Sequence, residues 1–68
     1  GLLYIEGPAG PVSLELRDLR GQLLFQHSWR SDPGRATRLE LPSLPASLYQ
    51  VRLSSESGTH TFLLHYAQ

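Results

Sequence analysis

Val12-Ser13-Leu14-Glu15-Leu16-Arg17-Asp18-Leu19-Arg20-Gly21-Gln22-Leu23-Leu24-Phe25 is the stretch whose reading decides the fold. Val12, Leu14 and Leu16 alternate with Ser13, Glu15 and Arg17, the period of two that puts one apolar face on a β-strand. Asp18-Leu19-Arg20-Gly21 then has the form of a tight hairpin, with Asp opening a type I turn and Gly supplying the left-handed residue of a bulge. Alternation resumes beyond it, with Leu23, Phe25, His27 and Trp29 on one side and Leu24, Gln26, Ser28 and Arg30 on the other.

The same pattern extends in both directions. Thr37, Leu39 and Leu41 alternate with Arg38 and Glu40; Tyr49, Val51 and Leu53 with Gln50, Arg52 and Ser54; Phe62, Leu64 and Tyr66 with Thr61, Leu63 and His65. Turn signals separate the runs at Gly7-Pro8-Ala9-Gly10-Pro11, Ser31-Asp32-Pro33-Gly34, Pro42-Ser43-Leu44-Pro45 and Ser55-Glu56-Ser57-Gly58. Breaks every ~8–12 residues with short alternating runs between them indicate an all-β sandwich or barrel. Leu favours helices, but Pro and Gly interrupt every window before three turns could form. Strands are expected at 2–6, 12–17, 22–30, 36–41, 48–54 and 59–66. They should stack as a small Ig-like antiparallel β-sandwich of about six to seven strands.

Length and composition set the outer limits. The chain has 68 residues, room for a single domain spanning 1–68. A domain this small buries only roughly 60% of its unfolded surface, so stability is thin. With no Cys there is no disulfide staple and no thiolate metal site. Six Arg and no Lys balance six acidic residues; a nucleic-acid-wrapping protein would carry a basic excess. No apolar run reaches the ~18–20 residues of a membrane helix. An apolar content of 40% is too high for a disordered tail. The chain opens at Gly1 without an initiator Met and reads as a piece of a longer polypeptide.

Catalytic chemistry is sparse. His60 and His65 are an odd number of residues apart and face opposite ways on a strand; His27 lies on another strand, and no third metal ligand accompanies it. No Ser sits in a Gly-x-Ser-x-Gly elbow, and no Gly-rich loop precedes a helix. Neither an enzyme nor a cofactor is expected. Arg30 and Arg38 flank the third turn near Trp29, the one Trp. Guanidinium forks beside an aromatic could contact an anionic glycan, although charges on edge strands also serve simply to block aggregation.

Two segments carry a resemblance. Val12 to Leu24 reads as strand, Asp-x-x-Gly turn, strand. Leu39-Glu40-Leu41-Pro42-Ser43-Leu44-Pro45-Ala46-Ser47-Leu48-Tyr49-Gln50-Val51-Arg52-Leu53 reads as strand, Leu-Pro-Ala link and Tyr-x-Val-x-Leu strand, followed by Ser57-Gly58 and a last strand. Over residues 2–68 this resembles the C-terminal sorting domain of the type IX secretion system of Bacteroidota. The chain departs from that family in carrying Ser47 where Gly is usual and in ending on Phe62-Leu63-Leu64-His65-Tyr66-Ala67-Gln68 rather than a Lys-rich strand. The family's opening Pro-Asn-Pro box is also missing.

The resemblance implies a signal and docking module that takes its parent protein from the periplasm through the outer membrane to the cell surface or beyond. Its partners would be the outer-membrane translocon and a sortase-like peptidase that usually removes it. A retained domain would act as an adaptor contacting anionic lipopolysaccharide. The docking surface is expected at Leu44, Pro45, Ala46 and Tyr49, and on the last strand from Thr61 to Gln68, especially Thr61, Phe62, Leu63, Leu64 and His65. Trp29, Arg30 and Arg38 are the alternative glycan contact. Asp18, Gly21 and Gly58 are expected as structural turn residues, and the chain as a monomer or weak dimer.

Overall fold

The computed structural model describes residues 2–7 and 9–67. Pro8 of the first turn signal, Gly1 and Gln68 lie outside the described residues. Six strands form: β1 (Leu2–Glu6), β2 (Gly10–Arg17), β3 (Leu23–Ser31), β4 (Ala36–Glu40), β5 (Ser47–Ser55) and β6 (Gly58–Tyr66). All pairings are antiparallel. β1 pairs with β4 in a two-stranded sheet, and a second sheet runs β3-β2-β5-β6. The pairing follows an immunoglobulin-type sandwich, with β1 and β4 as strands B and E and the larger sheet as C′, C, F and G.

Register explains the core. β2 lies between β3 and β5, so its alternate residues are covered from both sides. Val12, Leu14 and Leu16 are buried, as are Tyr49 and Val51 on β5. Leu39 of β4 and Leu44 of the β4–β5 link close the core from the other layer, with Leu3 and Ile5 of β1 packed against it. Across the large sheet, Phe25, Leu16, Val51 and Phe62 form one inward transverse row. Each such residue contributes ~1.5–3 kcal/mol when fully removed from water.

One part of the alternation breaks. Phe25 pairs with Leu16, but Leu23 pairs with Arg17, leaving Leu24 as an extra residue. Leu24 packs on the core while Leu23 turns outward and is exposed. Leu23 therefore does not share the face of Phe25, His27 and Trp29. The cause is a β-bulge, which shifts side-chain phase by one residue.

Candidate docking surface

The Leu41–Ala46 link is built by its prolines. Pro42 and Pro45 carry no amide proton and cannot continue a ladder, so the chain leaves β4 there and crosses to the other sheet. Leu41 and Leu44 are buried as it crosses. Tyr49, buried at the start of β5, donates its hydroxyl proton to the Pro45 carbonyl at 2.5 Å. Its ring meets Tyr66 edge-on, with centroids 6.3 Å apart. This is the tyrosine corner of Greek-key sandwiches, in which a tyrosine on the receiving strand pins the crossover above it.

The β2–β3 turn forms the facing wall. Asp18 Oδ1 accepts from the amides of Arg20 and Gln22, both at 2.9 Å, and the Gly21 amide donates to the Asp18 carbonyl at 3.0 Å. Gly21 has φ 91°, and Arg17 donates to its carbonyl at 3.0 Å. Between turn and corner lies a cavity of about 420 Å³, with Leu19, Leu24, Leu44, Pro45, Leu48 and Tyr49 among its lining. Leu19 stands 65% exposed at its mouth.

The residues singled out in the sequence divide by face. Leu44 and Tyr49 point into the core, whereas Pro45 and Ala46 are exposed. On β6, Phe62 and Leu64 lie on the inner face, and Thr61, Leu63 and His65 on the outer one. The β5–β6 ladder brings the two segments together, because Leu48 pairs with His65 and Gln50 with Leu63. Leu48 and Leu63 are thus diagonal neighbours on the outer face, 41% and 63% exposed, with His65 beside them. At the opposite end of β6, Gly58 follows the two-residue turn Glu56-Ser57 with φ 134° and pairs with Ser55.

Trp29, Arg30 and Arg38 are not brought together. Trp29 is half-buried on the inner face of β3, stacked on His27 with centroids 5.7 Å apart. Arg30 is its strand neighbour and faces outward. Arg38 lies on the outer side of β4, opposite Tyr4. His27 and His60 share one inward row through Leu14 and Leu53, three strand spacings or ~14 Å apart, too far for one metal ion.

A second feature went unread in the sequence. Ser28, Ser13, Ser54 and Thr59 form one outward row of hydroxyls across the four strands. Ser13, Ser28, Ser54, Pro11 and Glu56 line a shallow depression of about 340 Å³ that reaches Trp29. Each hydroxyl was visible on its own strand, but only the register aligns them. Comparison with protein-family models, with curated proteins and with solved structures returned no match.

Proposed function

We propose that this chain is a recognition module of the type IX sorting-domain kind, directing its parent protein through the outer membrane to the cell surface. The observation that carries the reading is the meeting of the tyrosine corner and the last strand. Their contact leaves Pro45, Ala46, Leu48, Leu63 and His65 exposed at one end of a rigid sandwich. Leu44 and Tyr49 serve that surface from beneath by holding its shape. A signal read as a folded surface needs such a patch, and exposed apolar groups adjoining a cavity are what a protein partner covers. The translocon would contact this end, and a sortase-like peptidase would then remove the domain.

A retained adaptor that binds anionic lipopolysaccharide or another glycan is the second reading. The shallow, mostly apolar depression that reaches the edge of Trp29, with Ser13, Ser28 and Ser54 at its margin, favours it, since an apolar platform bordered by hydroxyls suits the face of a sugar ring. Arg30 and Arg38 lie on separate faces and would not act there as a pair.

Fusing residues 1–68 behind a periplasmic reporter in a bacterium with type IX machinery tests both. The sorting reading expects the reporter at the surface. Mass spectrometry should find no peptides from residues 39–68 on surface material and should find them on material held in the periplasm. Surface material that keeps those peptides would favour the adaptor. A reporter confined to the periplasm would contradict the sorting reading.

A further inference from the structure

The outer face of the large sheet is built from the polar half of each alternating strand. In the β2–β5 register Glu15 stands opposite Arg52 and Arg17 opposite Gln50, and on β6 Thr61 stands opposite Arg52. These residues share the outward phase, because Leu14, Leu16 and Val51 between them are buried. Arg17 and Arg52 are therefore diagonal neighbours, with backbones roughly 7–8 Å apart and long side chains on one side of the sheet.

The two guanidinium groups are held differently. Arg17 donates to the Gly21 carbonyl at 3.0 Å and to Glu15 Oε2 at 3.3 Å, so the β2–β3 turn and its own strand fix its head. Glu15 faces Arg52 across the ladder but makes its ion pair with Arg17 instead. The Arg52 guanidinium, the Gln50 amide and the Thr61 hydroxyl have no hydrogen-bond partner among the described residues. Arg17, Gln50, Arg52 and Thr61 together line a cavity of about 250 Å³. Three unpartnered polar groups and one anchored cation thus meet at one space, supplied by three strands.

The lining selects the ligand. Two guanidinium groups against the single Glu15 carboxylate leave one positive charge, which a ligand with one negative charge neutralises. A carboxylate carries that charge, and its two oxygens match the planar fork of Arg52 in a bidentate pair. Gln50 and Thr61 both donate and accept. An acceptor-only anion leaves half of that capacity unused, whereas hydroxyl groups use all of it. No apolar side chain lines the cavity, and its volume lies just below the ~300–1,000 Å³ of small-molecule sites, more than a bare carboxylate needs.

We propose that Arg17, Gln50, Arg52 and Thr61 form a binding site for a sugar acid, a polyhydroxylated ligand bearing one carboxylate. Arg52 takes the carboxylate, Arg17 adds a fixed positive charge beside it, and Gln50 and Thr61 bind ring hydroxyl groups. The site is argued from these side chains alone. It holds whether or not the domain sorts its parent protein, and whether or not the depression at Trp29 takes a glycan.

The probe is glucuronate, titrated into the 68-residue chain at ~0.15 M salt and followed by amide NMR. Saturable shifts are expected at Gln50, Arg52 and Thr61, with half-saturation in the low millimolar range. Glucose and acetate each lack one part of the ligand and should bind ~10-fold more weakly or worse. Arg52→Gln should weaken glucuronate binding ~10-fold. The Gln50→Ala, Thr61→Val double variant should bind glucuronate no better than acetate. All three positions are exposed, and unchanged amide shifts at Leu14 and Val51 verify the fold of each variant.

No saturable shift at ~20 mM glucuronate would overturn the proposal. So would equal affinity for acetate, which means an adventitious ion only. Tighter binding of inorganic phosphate would overturn it in favour of a tetrahedral anion. Shifts that persist unchanged in Arg52→Gln would also overturn it.

Discussion

The Tyr49 hydroxyl donates to the carbonyl oxygen of Pro45, four residues upstream, and so ties the crossover between sheets to the strand that follows it. The contact is part-buried. Replacing Tyr49 by Phe keeps the ring and leaves that carbonyl without its donor. A loss of ~1–2 kcal/mol is expected, read as a lower urea midpoint at unchanged slope. An unchanged midpoint would mean that the corner is held by packing alone.

Gly21 closes the β2–β3 hairpin at φ 91°, a conformation that opposes a Cβ. Nothing lies within 4 Å of where that Cβ would stand, so the cost of Gly21→Ala is backbone strain alone. It should be ~1–2 kcal/mol by urea denaturation. Asp18→Ala frees the amides of Arg20 and Gln22, but both are exposed and water replaces the carboxylate. A smaller loss, ~1 kcal/mol, is expected there.

Leu14 is fully buried at the centre of β2. Leu14→Ala should cost ~2–5 kcal/mol. At ~0.05–0.15 kcal/mol per residue the 68-residue domain holds roughly 3–10 kcal/mol, so the loss is a large share of the total and should appear by circular dichroism as a strongly lowered urea midpoint. Phe62→Ser, at the open end of the neighbouring row, should leave a cooperative melt. A Leu14→Ala chain with an unchanged midpoint would contradict the assigned core.

The Trp29 indole nitrogen is buried without a hydrogen-bond partner among the described residues. Such a group opposes folding by ~1–3 kcal/mol. Trp29→Phe removes it while keeping a ring against His27, so the lost apolar area is offset. A stability change within ~1 kcal/mol is expected in urea denaturation, against ~3–5 kcal/mol for Trp29→Ala.

Strand positions were legible because each apolar run carried its own alternation and was bounded by Gly or Pro. The runs at 2–6 and 36–41 match β1 and β4 to within one residue, and that at 48–54 extends by one at each end in β5. The phase of Leu23 was not legible. Leu23 and Leu24 are identical in chemistry, so alternation cannot say which faces the core, and the bulge decides. The division into four strands and two was also hidden, since period two reports a face and not a neighbour. The Leu-Pro-Ala-x-x-Tyr segment was visible as a motif, yet only the fold shows that Leu44 and Tyr49 face inward while Leu48 supplies the exposed apolar group. Ser28, Ser13, Ser54 and Thr59 became a row for the same reason, through register.

Export of a Leu48→Ser, Leu63→Ser double variant is the most direct measurement. Both side chains are exposed, so stability should stay within ~0.5 kcal/mol per site, as a matched melt would verify. Carried behind the periplasmic reporter, the folded variant should remain in the periplasm while the unaltered domain takes the reporter to the cell surface. Equal surface delivery by the variant and the unaltered domain, or delivery by neither, would contradict a docking surface at this end of the sandwich.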